Sequence, residues 1–125
     1  MEYLFTQGPP ITEAEALAEA ASLGFHAIAY DYIDGDETLH WHEFDSVTWL
    51  LEGDATFADE HGALTKATAG CRVAAPAGYL HRALAGGRGR IVVSTSLAGR
   101  EWTMPIDKDP ADRPANLGGP VTDPT

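Results

Sequence analysis

Two short stretches, Leu39-His40-Trp41-His42 and Pro76-Ala77-Gly78-Tyr79-Leu80-His81, decide the fold of this 125-residue chain. Side chains alternate between the two faces of a β-strand, so the two histidines of a His-x-His pair point the same way. The third histidine follows a Pro/Gly turn at the start of another predicted strand. Three neutral imidazoles suit zinc, iron, copper or nickel and leave coordination positions open, so these histidines can form one face of a metal site.

The composition predicts one acidic globular domain. With 44% hydrophobic residues, the chain is long enough to bury a single core. Its formal net charge is −11, and no lysine or arginine precedes Lys66. Such a surface repels phosphate backbones and anionic lipids, so we expect no nucleic-acid partner and no membrane partner. The N-terminus has no secretory signal and Cys71 is the only cysteine, which together predict a cytoplasmic protein.

The remaining pattern predicts one helix followed by many short strands. Thr12 and Glu15 fit a capping box, and the run 13–23 is rich in Ala, Glu and Leu and stops before Gly24. We expect this helix to lie outside the sheet. Beyond it, aromatic and β-branched runs alternate with Gly, Pro and Asp turns, which is typical of a closed all-β barrel or sandwich. The predicted strands cover 25–32, 38–44, 46–51, 55–58, 63–68, 72–74, 79–84 and 90–97.

The two histidine stretches resemble the paired motifs of a small single-domain cupin. The His-x-His of the first motif matches His40 and His42, and the run 47–53 matches the strand that closes this motif. Four residues of the second motif are also in register: Gly70, Pro76, Gly78 and His81. The resemblance covers residues 25–97 and implies an all-β double-stranded β-helix, which is a jelly-roll barrel with a metal in its mouth.

With this resemblance we expect three parts in the chain. They are an N-terminal arm and helix over 1–24, a cupin barrel over 25–104 and a tail over 105–125 that is rich in Pro and Asp. The tail cannot form a helix or a central strand. It is either flexible or an extended arm that lies on the barrel or on a neighbouring subunit.

The chain departs from the cupin pattern at the carboxylate of the first motif. The metal-binding glutamate aligns with Ser46, and the final asparagine of the second motif aligns with Ala85. Asp45 is one residue from the glutamate position and would need a β-bulge to replace it. The ligand set that the resemblance implies is neutral and consists of His40, His42 and His81. It would hold one divalent metal, which can be Fe, Zn, Ni, Mn or Cu.

Residues close to the missing glutamate should line the pocket. Strand alternation places Ser46, Thr48 and Leu50 on one face, and Phe44 can form a wall of the mouth. Tyr79 lies near His81 in sequence and can offer a phenol to a substrate. We therefore predict Ser46 and Tyr79 as catalytic residues and the other three as substrate-pocket residues. Plain packing is the alternative for Leu50 and Tyr79.

The opposite face of the same strands carries large apolar residues. Trp41, Val47, Trp49 and Leu51 should pack under the helix or against a second subunit, so we expect a homodimer. Four arginines either anchor a substrate carboxylate or only neutralise the acidic half of the chain: Arg72, Arg82, Arg88 and Arg90.

Three functions of different classes follow. The first is a metal-dependent enzyme of the dioxygenase, isomerase or lyase type that acts on a small molecule. The second is a non-catalytic cupin module that binds or senses a small ligand. The third is a structural accessory protein that makes its contacts through the tail and the outer tryptophans. The missing glutamate supports the second function. The cupin fold does not contradict it, because a fold alone does not fix a function.

Overall fold

The computed structural model describes residues 1–115 and 117, so part of the predicted tail, residues 116 and 118–125, lies outside the described residues. One α-helix, seven β-strands and two 3₁₀ turns make up this part of the chain. In chain order they are β1 (Leu4–Gln7), α1 (Glu13–Ser22), β2 (His26–Ile33), β3 (Ser46–Asp59), β4 (Leu64–Thr68), β5 (Cys71–Ala75), β6 (His81–Ala83), β7 (Arg88–Thr95) and the turns Gly99–Glu101 and Pro110–Asp112. In the described part, no helix is long and apolar enough to cross a membrane.

All seven strands belong to one antiparallel sheet built around β3. Its order is β1-β5-β3-β7-β2, and β4 and β6 pair with the second half of β3. The ladder between β3 and β7 shifts register between Leu50 and Glu52, which marks a β-bulge. Beyond the bulge, Gly53 and Gly89 face each other so closely that a Cβ on Gly53 would lie 1.8 Å from the Arg88 carbonyl oxygen. A glycine is required where two backbones approach this closely.

The helix α1 begins at the predicted capping box. The Glu15 N–H donates to Thr12 Oγ1 over 3.1 Å, and the Thr12 N–H donates to Glu15 Oε1 over 2.8 Å. Ala16 and Ala20 on this helix have no exposed surface and pack on one face of the sheet. They meet the odd-numbered side chains of β3 there, which are Val47, Trp49 and Leu51. Of the two predicted alternatives, packing under the helix or against a second subunit, the structure shows the first for these three residues.

Before the bulge, the even-numbered residues of β3 (Ser46, Thr48 and Leu50) point to the other face of the sheet. Leu50 is buried there beside Ala67 and Cys71, and partly buried aromatic and β-branched side chains surround this second cluster. Alternation along β3 thus gives the sheet two apolar faces, one under the helix and one around a cavity.

The structure differs from the predicted strands at three places. The strand β1 (Leu4–Gln7) lies in the N-terminal arm, where no strand was predicted, and the strands predicted over 46–51 and 55–58 are one strand. The strand predicted over 46–51 continues to Asp59, because the bulge lets β3 bend and find new partners beyond Glu52. The stretch predicted as a strand over 38–44 contains only two isolated bridges, which join His40 to His81 and Trp41 to Lys108. Trp41 was predicted to pack under the helix or against a second subunit, but it is not part of the cluster under α1. Its indole N–H instead donates to the Asp109 carbonyl over 2.8 Å.

Candidate metal centre

Main-chain hydrogen bonds join the two histidine stretches directly. The His40 N–H donates to the His81 carbonyl and the His81 N–H donates to the His40 carbonyl, both over 3.0 Å. The Gly78 N–H donates to the His42 carbonyl over 2.8 Å. Residues forty positions apart in sequence are therefore held side by side by the backbone.

The Pro-x-Gly turn explains how His81 is presented. The Tyr79 N–H donates to the Pro76 carbonyl over 3.1 Å, and Gly78 has φ +84°, as the third position of a type II turn requires. The Asp45 carboxylate accepts the Ala77 N–H over 2.8 Å. The acid considered as a substitute for the missing glutamate therefore stabilises this turn.

The three imidazoles converge. One ring nitrogen from each of His40, His42 and His81 lies within 4.8 Å of the other two. Each Nδ1 contacts a main-chain carbonyl oxygen, at 2.8 Å to Thr38, 3.0 Å to Ile106 and 2.9 Å to Tyr79 respectively. A carbonyl only accepts, so each Nδ1 must carry the proton, which leaves the Nε2 lone pair free on every ring.

Such carbonyl partners are typical of metal-binding histidines, because they fix both the tautomer and the orientation of the ring. The surroundings also favour the neutral form that binds a metal. Burial, together with the charges that His42 and His40 would carry, lowers the pKa of His81 from 6.5 to about 4. Burial lowers the pKa of His42 as well, although its bond to the Ile106 carbonyl acts in the opposite direction. The donor set therefore fits a divalent transition metal, and these three histidines could hold one.

The cluster opens into a cavity of about 600 Å³ on the inner face of the sheet. All five predicted pocket and catalytic residues are among the residues that line it: Phe44, Ser46, Thr48, Leu50 and Tyr79. The Phe44 ring stacks on the His42 ring, with centroids 5.2 Å apart and planes within 4°. Phe44 therefore forms a wall beside the histidines.

Tyr79 has a defined place and a defined protonation state. Its ring stacks on Tyr3, with centroids 4.4 Å apart, and lies 6.0 Å from the His81 ring. Burial raises the pKa of Tyr79 to about 12, and the negative charges of Asp59 and Glu60 act in the same direction. At neutral pH this hydroxyl keeps its proton, so it can donate a hydrogen bond and cannot serve as a base.

The sequence interpretation missed several residues around the cavity. Tyr3 enters it because β1 pairs with β5, and Tyr30 and Tyr32 enter it from β2. The alternation of Ile28, Tyr30 and Tyr32 along one face of β2 was a signal for the last two. The stretch 102–109 also borders the cavity, through Trp102 before the predicted tail and through Ile106 and Asp107 within it, and no local pattern in the sequence points to these three.

The cavity is lined by acidic and apolar groups. Its described lining residues include four carboxylates, which are Asp34, Glu37, Asp59 and Asp107, and no lysine or arginine. Two of the arginines proposed as substrate anchors pair elsewhere. Arg72 contacts Glu19 at 2.8 Å, and Arg90 contacts Glu13 at 2.8 Å and Asp31 at 3.0 Å.

Comparison with known proteins identifies the fold. An acireductone dioxygenase from Bacillus anthracis, with a cadmium ion in its active centre, aligns with a TM-score of 0.56 over 78% of this chain and 79% of its own, at 18% identity. A DUF861 family protein from Thermotoga maritima aligns with a TM-score of 0.53 over 74% of this chain and 97% of its own, at 17% identity. Both are cupin folds. This chain has the fold of a small cupin domain.

The polyketide cyclase RemF from Streptomyces resistomycificus is a further structural match, with a TM-score of 0.50, 20% identity and coverage of 69% of this chain and 64% of its own. No family model matches the sequence, and no curated protein matches it significantly. The similarity therefore identifies the cupin fold. The predicted all-β class with one N-terminal helix is confirmed.

Proposed function

We propose that this cupin holds one divalent metal through His40, His42 and His81 and acts on a small molecule bound in the adjoining cavity. The observation that carries the proposal is the arrangement of three Nδ1–H···O=C bonds, which leaves three Nε2 lone pairs free at one end of the cavity. Fe, Zn, Ni, Mn and Cu all accept such ligands. A bound metal would supply Lewis-acid chemistry or activate oxygen, as in dioxygenases, isomerases or lyases.

The chain's own residues would orient and shield the substrate. Phe44 and Leu50 supply apolar walls that exclude water, and Thr48 supplies a hydroxyl. Ser46 contributes a second hydroxyl at the position where the cupin motif carries its glutamate. The protonated Tyr79 hydroxyl would donate a hydrogen bond to an oxygen of the substrate. We propose Ser46 and Tyr79 for this role in catalysis.

The lining also favours a class of substrate. With four carboxylates and no lysine or arginine among its described lining residues, the cavity offers an organic anion no lysine or arginine to pair with, and its carboxylates repel it. We propose an uncharged substrate with an apolar body and one or two oxygen donors for the metal. Tryptophan fluorescence can compare 1-phenylbutane-1,3-dione with 3-oxo-3-phenylpropanoate, because Trp102 borders the cavity. The diketone should bind more tightly, and tighter binding of the carboxylate would contradict this substrate class.

A non-catalytic ligand-binding module is the second candidate. Two observations favour it. The motif glutamate is absent, and Tyr79, with a pKa of about 12, cannot act as a base at neutral pH. The two functions differ in turnover. If the protein is an enzyme, its metal-loaded form should consume oxygen or convert a thiol or a diketone. If it is a binding module, it should bind such a compound without converting it.

Elemental analysis tests the proposal first. The protein is purified without a histidine tag, as wild type, as His42→Ala and as the control His61→Ala, whose side chain is 75% exposed in a hairpin. We expect about one metal per chain in the wild type and in His61→Ala, and loss of the metal in His42→Ala. Retention of the metal by His42→Ala would contradict the proposed site, and absence of metal from all three would favour the second candidate.

The homodimer and the cytoplasmic location remain predictions. The tryptophans that suggested a dimer pack within the chain, Trp49 under α1 and Trp41 against Asp109. The strand β2 ends the sheet order on one side, and exposed strand edges pair readily with another chain. Sedimentation of the purified protein would test the dimer.

A further inference from the structure

The end of the predicted barrel and the start of the predicted tail are fixed over the histidine cluster. We call residues 102–113 the closing segment. The Trp41 N–H donates to the Lys108 carbonyl over 3.2 Å, and the Lys108 N–H donates to the Trp41 carbonyl over 2.9 Å. The Trp41 indole N–H donates to the Asp109 carbonyl. Because Trp41 separates His40 from His42 in sequence, the closing segment is held by the residue between two of the histidines.

Further bonds fix both ends of the closing segment. The Glu43 carboxylate accepts the Thr103 N–H over 2.6 Å, and Lys108 Nζ donates to the Thr103 carbonyl over 2.9 Å. Near the other end, the Arg113 guanidinium donates to the Gly78 carbonyl over 3.0 Å. The segment therefore spans from the residue after His42 to the turn before His81.

This anchoring brings the Asp107 carboxylate to the histidines. Asp107 Oδ1 lies 3.7 Å from His40 Nε2, which faces the metal position, and 3.7 Å from His42 Nδ1, the protonated nitrogen that bonds to the Ile106 carbonyl. Metal–ligand bonds of about 2.0–2.2 Å place adjacent nitrogen and oxygen ligands roughly 3–3.5 Å apart. A small rotation of the Asp107 side chain would therefore allow it to share a metal with His40.

Among the described residues, one other carboxylate lies within 4.0 Å of an imidazole nitrogen of the cluster. Glu37 Oε1 is 4.0 Å from His40 Nε2, but the same oxygen accepts the Ala83 N–H over 2.9 Å. The Asp107 carboxylate accepts no hydrogen bond from the described residues and is 59% exposed. It is therefore free to bind a metal without breaking another bond.

We propose that Asp107 supplies the carboxylate ligand that this chain lacks at Ser46, where the first cupin motif has its glutamate. This inference rests on the proposed function, since it needs a metal held by the three histidines. The ligand set then carries one negative charge, as it would with the motif glutamate, but the charge comes from the closing segment and not from β3. Full metal affinity accordingly requires the closing segment to be docked on Trp41.

Cobalt(II) titration of the full chain tests the assignment. The variants are Asp107→Asn, Asp107→Glu, Glu37→Gln and the control Asp112→Asn, which removes an exposed carboxylate from the same segment. Dissociation constants come from competition with a chelator, and the visible absorption of bound Co²⁺ reports its coordination. We expect Asp107→Asn to weaken binding by at least about tenfold and to change the absorption spectrum. Asp107→Glu should retain most of the affinity, and Asp112→Asn should match the wild type.

Several outcomes would overturn the assignment. Binding by Asp107→Asn within about twofold of the wild type, with an unchanged spectrum, would exclude Asp107 as a ligand while leaving the three-histidine site standing. A larger loss in Glu37→Gln than in Asp107→Asn would assign the carboxylate to Glu37 instead. If the wild type binds no Co²⁺, or binds it equally well after His42→Ala, the proposed function fails and this inference fails with it. Metal-free melting curves of all variants separate a lost ligand from a lost fold.

Discussion

Acidification of the metal-free protein should reveal the buried His81. In the folded protein the pKa of His81 is about 4, whereas an exposed histidine has a pKa of about 6.5. Between these two values, the unfolded chain binds a proton that the folded chain does not bind. The free energy of unfolding must therefore fall as the pH falls from about 6.5 to about 4, and this contribution stays constant below that window.

The size of the effect follows from the shift. One pKa unit corresponds to about 1.4 kcal/mol, so a gap of about 2.5 units corresponds to a loss of roughly 3 kcal/mol by pH 4. The lowered pKa of His42 adds a loss of the same sign. A loss of this size is a large fraction of the 5–15 kcal/mol by which typical domains are stable.

Urea unfolding in the presence of a chelator measures this loss between pH 7 and pH 4. Wild type, His81→Gln and the control His61→Gln are compared at each pH, so that carboxylates common to all three proteins cancel in the difference. We expect the wild type and His61→Gln to lose roughly 3 kcal/mol more than His81→Gln. Equal losses in wild type and His81→Gln would refute the reasoning, because they would mean that His81 is protonated alike in both states.

Three further predictions concern the frame around the cavity, and the urea midpoint tests each of them. Gly53→Ala should lower the free energy of unfolding by at least about 2 kcal/mol more than Gly62→Ala does. Both glycines have positive φ, but only at Gly53 would the new Cβ meet a backbone oxygen, that of Arg88. Equal costs would show that the backbone can move apart there. Trp49→Ala should cost about 3–5 kcal/mol, because Trp49 is 1% exposed under the helix, and a cost below about 1 kcal/mol would contradict this packing. Thr12→Ala should cost about 1 kcal/mol through the lost cap, and an unchanged midpoint would show that the cap contributes nothing.

Local patterns in the sequence were enough for the parts of the fold that depend on local chemistry. The capping box at Thr12, the alternation along β3 and the Pro-x-Gly turn before His81 each act within a few residues. The common direction of His40 and His42 was predictable from the alternation of residues two apart, although 38–44 forms only isolated bridges, and the joining of His81 to them was implied by the cupin resemblance.

The parts that were missed depend on contacts between distant residues. The bulge after Leu50 carries β3 past Gly53, where the sequence instead suggests the end of a strand. Tyr3 reaches the cavity only because β1 pairs with β5, whose residues lie 64 to 70 positions further along the chain. Asp107 lies among prolines and aspartates that indicate an extended tail, and its position depends on the bridge between Trp41 and Lys108. Composition and periodicity describe a segment, but they do not say where an irregular segment docks.

The position of Trp41 explains why an irregular segment can take part in the metal centre. In a His-x-His pair, the middle side chain points away from the metal, so it is available to bind another part of the chain. Here the Trp41 backbone pairs with Lys108, and the Trp41 indole N–H donates to the Asp109 carbonyl. Lys108 and Asp109 are the two residues that follow Asp107. His40 and His42 thus present their imidazoles on one face, and Trp41 between them holds the closing segment. A carboxylate on that segment can then reach His40 without any change to β3. The presence of Ser46 at the motif position is therefore compatible with a set of metal ligands that includes one carboxylate.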